Sequence, residues 1–450
     1  MNNDSMYPSE AARRFERKPL ARAVEYVMNV PGSAKEQVAS FTGRTVDISE
    51  AGLGIETDYP LAPGHTLWVN GGIDRAGKVQ WAVRTDMAYR AGIQFDLDGI
   101  LGKGQSVGRT EDLTVGEERE GYLRRLDNAT ESFMKQLETI EKRSAHPAED
   151  PKQLQGAVAQ AVEQMMSGCK EFEGGIGADK QALKEAQVKF REKTHPLISK
   201  SYLMNRTRVW PQGSQGDYKT LDLAYKNTPL SEGLGYHLDL YMLELPLAHA
   251  VRNRIRDLED ILRDDILKRK EPALLNIACG SSRELMGLAP EIRASGARIT
   301  CIDTDDDALS FAQNRISYTG AGDHVEFRKY NALRLFDYDL AMSDFGKQDI
   351  IYSVGLFDYL PSDFLVRMFG TLYRLLNEGG TLVLAFKDAA RYDHHIYHWL
   401  VDWDGFQQRK EDDFKRIIAE SGFDHSSISE RRDETGLIVF YLVSKGQETC

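Results

Sequence analysis

Apolar positions along this chain keep three different rhythms, and the changes of rhythm divide it. From Leu20 to Phe95 they come in short runs, ARAVEYVMNV, SFTGRTVDI, LGIETD, HTLWVN, GKVQWAVR and YRAGIQF, separated by PGSA, SEAG, APGH and NGGIDRAG. Runs with period two, bounded by Gly, Pro and Asn, predict strands. Six of them at this spacing predict a small antiparallel barrel over residues 1–98. Gly99 to Gly116 (GILGKGQSVGRTEDLTVG) has five glycines and no apolar period, which predicts a linker over 99–116.

Beyond it the period lengthens to that of a helix. Tyr122, Leu126, Phe133, Leu137 and Ile140 share one face up to about Arg143. Leu154, Val158, Val162, Met165 and Met166 share another, ending at the GGIG of 174–177. A third helix is expected from about Ala178 to Glu192, stopping before His195–Pro196 because a residue preceding proline is pushed out of the helical region. A long helix from about Gly235 carries the run AVRNR, Ala250 to Arg254. Residues 117–260 thus form a helical segment, expected to pack on the C-terminal domain or to pair two copies of the chain.

From Pro272 onward apolar runs and helical stretches alternate, as in a doubly wound sheet over residues 261–450. LLNIACGSSRELMGLAP gives a strand, a small-residue turn (Ala278, Cys279, Gly280, Ser281, Ser282) and the start of a helix. The second strand stops on Asp303, 23 residues past Gly280. The third ends on Asn331. The fourth, QDIIYSVGLFDYLP, ends around Gly355, Asp358 and Tyr359. NEGGTLVLAF is the fifth, and HSSISERR with GLIVFYLV reads as a closing hairpin. A strand, a tight small-residue turn and a downstream acid form a nucleotide-binding layout. The turn lets a ligand approach the backbone, and the carboxylate accepts two hydrogen bonds from a vicinal diol. The incomplete G-x-G-x-x-G spacing disfavours a dehydrogenase.

Bulk properties narrow the function. The 450 residues suffice for two or three cores, and 57 Lys and Arg against 69 Asp and Glu leave a net charge of −12, which argues against a nucleic-acid polymer as partner. Cys169, Cys279, Cys301 and Cys450 are too far apart for a zinc motif. The N-terminus is polar and no eighteen apolar residues run together, so no membrane span is expected and the protein reads as cytoplasmic. Tyr392, His394, His395, His398 and Trp399 follow the fifth strand. A histidine there, His394 in particular, is placed to act as a base. As a metal site the cluster lacks a third ligand at suitable spacing, so no metal is expected.

Two clusters in the first hundred residues carry further chemistry. RRFERK holds Arg13, Arg14 and Arg17, side chains suited to bidentate pairing with phosphates or a guanine edge. DISEAG holds Asp47, Ser49 and Gly52, where an acid can accept from guanine N–H groups and the glycine frees a turn. In this order they resemble the PilZ domain, whose signature is R-x-x-x-R followed by [DN]-x-S-x-x-G. The resemblance implies binding of cyclic di-GMP, a bacterial second messenger. Arg13, Arg14 and Arg17 would take its phosphates and guanine faces, and Asp47, Ser49 and Gly52 the barrel-side contacts.

Residues 261–450 resemble the class I S-adenosylmethionine-dependent methyltransferase fold. The first motif of that family, D/E-x-G-x-G-x-G, reads here as Asn276, Ala278, Gly280 and Ser282, with only the central glycine kept. The resemblance implies S-adenosylmethionine held by Asn276, Ala278, Cys279, Gly280 and Gly355, with Asp303 on the ribose and Asn331 on the adenine amine. It places the methyl acceptor by Asp358 and Tyr359, with Arg252 or Arg409 as cations for an acidic head group. P-x-G-x-x-G-D-Y (Pro211 to Tyr218), AVRNR, LNIACGSSRE and D-W-x(5)-R (Asp402, Trp403, Arg409) together resemble the methyltransferase family associated with making 3-hydroxypalmitic acid methyl ester. That family implies a fatty-acid carboxylate as acceptor, here under cyclic di-GMP control. A reading of another class is a cyclic di-GMP effector whose altered methyltransferase domain serves as a protein-interaction module.

Overall fold

A computed structural model describes residues 18–19, 23–29, 38–49, 52–59, 61–62, 65–69, 75–84, 89–95, 110–212, 215–423 and 426–446. The chain divides into two compact units, Met1–Asp112 and Leu113–Cys450.

In the first unit the strands are β1 (Lys18–Pro19), β2 (Ala23–Asn29), β3 (Val38–Ser49), β4 (Gly52–Thr57), β5 (Thr66–Val69), β6 (Arg75–Arg84) and β7 (Tyr89–Phe95). They pair antiparallel in the order β1-β3-β2-β5-β6-β7-β4, and β4 pairs back onto β3, so the sheet returns on itself. The period of two explains why. Val24 and Tyr26, Leu53 and Ile55, Leu67 and Val69, and Ala91 and Ile93 all fall on the inner face and are buried together. The Tyr26 hydroxyl shares a 2.7 Å hydrogen bond with Thr57, satisfying the polar end of a buried ring.

The second unit opens within α1 (Thr110–Ser144), a helix that begins inside the stretch read from the sequence as linker. Then come α2 (Pro151–Ile176), α3 (Lys180–Ile198), α4 (Tyr202–Val209), α5 (Tyr218–Lys226), α6 (Gly233–Leu243) and α7 (Pro246–Leu267). Asp150, Asp179 and Ser201 cap α2, α3 and α4 through their side chains. The third helix does not stop at Glu192 as the proline rule predicts but runs through Pro196. So near a helix end, proline costs one hydrogen bond, and Leu197 and Ile198 are buried by continuing the helix.

The sheet of this unit comprises β8 (Ala273–Ile277), β9 (Arg298–Asp303), β10 (Val325–Lys329), β11 (Gln348–Ser353), β12 (Leu376–Lys387), β13 (Ser426–Arg432) and β14 (Ile438–Lys445). Their order is β10-β9-β8-β11-β12-β14-β13. The first five are parallel, and β14 runs antiparallel to both of its neighbours. Alternate residues face opposite cores. Leu274, Ile350 and Val383 join the core built by α1 to α7. Leu275, Ile351 and Leu382 join the opposite core with α12 (Ser362–Leu375) and α13 (Glu411–Glu420), the helices α8 to α11 being the short Glu284–Gly287, Ala289–Ser295, Asp306–Ser317 and Tyr338–Phe345. The helical segment therefore shares a core with one face of the sheet. Among the described residues no helix is long and apolar enough to cross a membrane.

Candidate active site

In a doubly wound sheet the ligand crevice opens at the carboxyl ends of the strands where the winding reverses. Here that point lies between β8 and β11. β8 ends in the expected small-residue turn, and three alternate residues of it adopt left-handed backbone: Ala278 at φ 54°, Gly280 at φ 51° and Ser282 at φ 44°. These are the three positions where the family motif has glycine. Non-glycine residues there cost about 1–2 kcal/mol each, so the turn keeps its shape at the expense of strain.

The Gly280 N–H donates to Asp303 Oδ2 (2.8 Å) and the Asp305 N–H to Asp303 Oδ1 (3.0 Å), which fixes the carboxylate beside the turn. Burial pushes the Asp303 carboxyl above its ordinary range, and the backbone donors oppose the shift. Asn331 turns its Oδ1 to the Leu333 N–H (2.9 Å) at the end of β10. Asn276 is a correction: its side chain is buried and donates to Glu284 Oε1 (2.9 Å), so it braces the turn from below and does not face the crevice. Cys279 is a buried free thiol. Gly355, just past β11, has φ 113°.

Two upstream signatures cover this crevice. Asp217 caps α5 through Lys219 and Thr220 and is paired with buried Arg206 at 2.7 Å. That brings Tyr218 over Gly280, whose absent Cβ would stand 3.8 Å from the Tyr218 Cβ. In AVRNR the two arginines part company. Arg252 donates to the carbonyls of Ala224 and Leu243 and lines a cavity of about 660 Å³ with His249, Arg256 and Arg283. Arg254 is buried, donates through Nη2 to the Tyr225 hydroxyl (2.8 Å), and leaves its Nε without a partner among the described residues. A Cβ on Gly355 would lie 3.5 Å from Arg254 Nη1, so the guanidinium edge looks onto the end of β11. Burial works against its charge, but Tyr225, Asp358 and Glu284 outweigh it.

The late signature D-W-x(5)-R is a clamp on the loop after β11. Trp403 Nε1 donates to the Tyr359 hydroxyl (2.9 Å), and Arg409 donates to the carbonyls of Phe357 (3.0 Å) and Leu360 and to Ser362 Oγ (3.2 Å). Arg409 is buried with these donors engaged, which corrects the expectation that it meets a substrate head group. Asp358 is buried too. Its Oδ1 accepts from the Lys387 N–H (3.0 Å) and its Oδ2 lies 3.3 Å from Lys387 Nζ. Burial pushes the Lys387 ammonium down to about 7 against the pull of Asp358. His394 stacks on His395 (4.2 Å) and lies 4.9 Å from the His398 ring.

Lys387 and Glu284 are charged groups that sequence reasoning passed over, and Arg254 was read only as one member of the AVRNR run; Lys387 and Arg254 each carried a signal. Lys387 ends a strand buried on both faces. Arg254 lies on the apolar stripe of α7, between Val251 and Leu258, where a charge is out of place unless it is used.

In the first unit Asp47 stands on β3, and Ser49 pairs with Gly52 across the β3–β4 turn. β1 lays Lys18 opposite Ile48 and Pro19 opposite Asp47. The residue following Arg17 is thereby set beside the second half of the signature. Arg13, Arg14 and Arg17 themselves lie outside the described residues.

Comparison with known proteins agrees with this division. The PilZ domain family model matches residues 11–104, and a family model described as a methyltransferase domain matches residues 275–382. No curated protein matches the chain. Among solved structures it is similar to a possible exported protein from Bordetella parapertussis, at 15% identity over 76% of this chain and all of that one, with a TM-score of 0.45. It is also similar to magnesium protoporphyrin IX methyltransferase from Synechocystis PCC 6803 with bound SAH, at 16% identity over 46% of this chain and 88% of that one, with a TM-score of 0.36. Residues 11–104 thus match a PilZ domain and residues 275–382 a methyltransferase domain.

Proposed function

We propose that the chain is a methyltransferase that answers to cyclic di-GMP and transfers the methyl group of S-adenosylmethionine to a carboxylate, of fatty-acid type by the resemblance of its four signatures. The observation that carries this reading is the buried Arg254, which has an Nε with no partner among the described residues and turns its Nη1 toward Gly355, at the crevice that Asp303, pinned to Gly280, also lines. A buried guanidinium with an unpartnered N–H asks for an anion. The methyl donor has an amino-acid carboxylate on one side of its sulfonium and a ribose diol on the other, between sulfonium and adenine, and Arg254 and Asp303 are complementary to those two groups. When bound, the donor supplies an electrophilic methyl group on a sulfonium.

The chain's own residues bind, orient and exclude water. Tyr218 covers the turn, and the Trp403–Tyr359 hydrogen bond closes the side toward the acceptor. A carboxylate acceptor is already ionised at neutral pH, so alignment and desolvation supply the rate and no base is required. The cavity bearing Arg252, Arg256 and Arg283 includes Tyr225, the residue bound by Arg254, and so lies next to the crevice. Its cations suit an acidic head group. Ala278 and Ser282 retain the left-handed backbone that the lost glycines would allow, which favours a working donor site over an eroded one.

Calorimetric titration with S-adenosylmethionine tests the reading. One site per chain is expected, lost in Asp303→Ala and weakened about tenfold or more in Arg254→Met, on the scale of a charge-assisted hydrogen bond. Absence of binding to the unaltered chain, or full affinity in both variants, refutes it.

A further inference from the structure

The histidine cluster after β12 acquires from the fold what its spacing lacks. Glu173, near the end of α2, reaches across to Asp393–Trp399. One ligand atom each from Glu173, His394 and His395 lies within 4.8 Å of the others. Glu173 Oε1 is held by the Trp399 indole N–H (2.5 Å), which leaves Oε2 facing His395 Nε2 at 3.5 Å. The other ring nitrogen of His395, Nδ1, lies 2.7 Å from Asp393 Oδ1, and Asp393 is fixed in turn by Lys170 Nζ at 2.6 Å. His394 stacks on His395 and lies 4.9 Å from the His398 ring, whose buried Nε2 has no partner among the described residues. His394 and His395 directly precede a π-turn from Ile396 to Leu400 that carries His398, a distortion found mostly at functional sites.

The geometry points to a divalent-cation site formed by Glu173, His394 and His395, with zinc as the metal its donors select. Several observations converge on it. A carboxylate bonded to Nδ1 fixes the tautomer that offers Nε2 as a ligand, the usual outer-shell arrangement of a metal-bound histidine. The 3.5 Å separation of Nε2 and Oε2 is long for a hydrogen bond. It is close to the edge of a tetrahedron with metal–ligand bonds of about 2.0–2.1 Å, which is roughly 3.4 Å. Two imidazoles and one carboxylate favour zinc over magnesium or calcium, which prefer all-oxygen shells. Glu173 and His394 are remote in sequence, so a bound ion would fasten α2 to the segment leaving the carboxyl end of β12. The inference is independent of the methyl-transfer reading, because none of its ligands touches the Gly280–Asp303 turn or Arg254.

The test uses the untagged full chain, treated with chelator and then titrated with zinc chloride in a calorimeter, with metal content measured by atomic emission. One tightly held zinc per chain is expected, together with a rise of several degrees in the unfolding midpoint that magnesium does not reproduce. His394→Gln and Glu173→Gln should each lose tenfold or more in affinity. Asp393→Asn, which alters only the outer shell, should lose about 10–100-fold. Exposed His195→Gln serves as the control and should match the unaltered chain. No zinc uptake would leave His395 as a histidinium between two carboxylates and overturn the proposal. So would zinc bound equally well by the Glu173 and His394 variants, which would mark it as adventitious.

Discussion

Glu284 shows how one buried group ties the donor turn to the rest of the molecule. It follows the turn directly, accepts from Asn276 and from the Tyr352 hydroxyl (2.9 Å each), and burial lifts its carboxyl from 4.5 to about 7. Between those two pH values the folded chain keeps a proton that the unfolded chain has already released. The unfolded state then binds fewer protons, so stability from this group falls as pH rises from about 4.5 to 7. The span corresponds to on the order of 3–4 kcal/mol. Glu284→Gln keeps an oxygen acceptor for both donors and carries no charge. Its stability should match the parent near pH 4.5 and exceed it by that order at pH 8. Urea unfolding of both proteins at the two pH values decides this, and a constant difference would mean that Glu284 is not the titrating group.

At the scale of elements, the loop entering α5 and the segment following the π-turn meet at one glycine. Gly216 has φ 67°, and a Cβ there would stand 2.7 Å from Trp403 and 2.9 Å from the Tyr359 hydroxyl. Gly216→Ala therefore faces both an unfavourable backbone and a clash, and the loop carrying Tyr218 must move away from Gly280. A loss of about 1–3 kcal/mol in stability is expected, with weaker binding of S-adenosylmethionine in the same protein. Unchanged donor affinity would show that this loop does not cover the site.

Much of this architecture was legible in the chain. The central strands of the second sheet, β8, β11 and β12, stand out because they are buried on both faces and read as apolar runs between turn residues. The turn from Ala278 to Ser282 and the acid Asp303 are local features legible from spacing, whereas the hydrogen bond from Gly280 to Asp303 is a finding of the structure. Glu173 was not legible, because the contact that brings it to His395 joins elements more than two hundred residues apart. The division of labour between Arg252 and Arg254 depends on which side of α7 faces the sheet. The apolar stripe could have revealed that, but proximity to the turn could not. Arg409 looked like a free cation because a sequence shows charge and does not show the carbonyls that absorb it.

The whole molecule joins two units that have separate cores, the barrel around Tyr26 and the sheet between two helical layers. Such units fold and bind independently unless their equilibria are linked, and linkage is measurable without knowing the methyl acceptor. If cyclic di-GMP changes the affinity for S-adenosylmethionine by some factor, the donor must change the affinity for cyclic di-GMP by the same factor. A regulatory coupling of the usual 1–3 kcal/mol corresponds to roughly 5–150-fold. Titrating each ligand in the presence and absence of saturating amounts of the other should therefore give two equal shifts of at least about fivefold. Arg13→Ala combined with Arg17→Ala should abolish messenger binding and leave donor affinity at its messenger-free value, because the substitutions lie in the other unit. Unchanged messenger affinity in that double variant would remove the arginine assignment. Two binding events with no mutual shift would leave both ligands in place and remove a control acting through donor affinity. Unequal shifts would be thermodynamically inconsistent with a single linked equilibrium and would point to a further species, such as a change in association between chains.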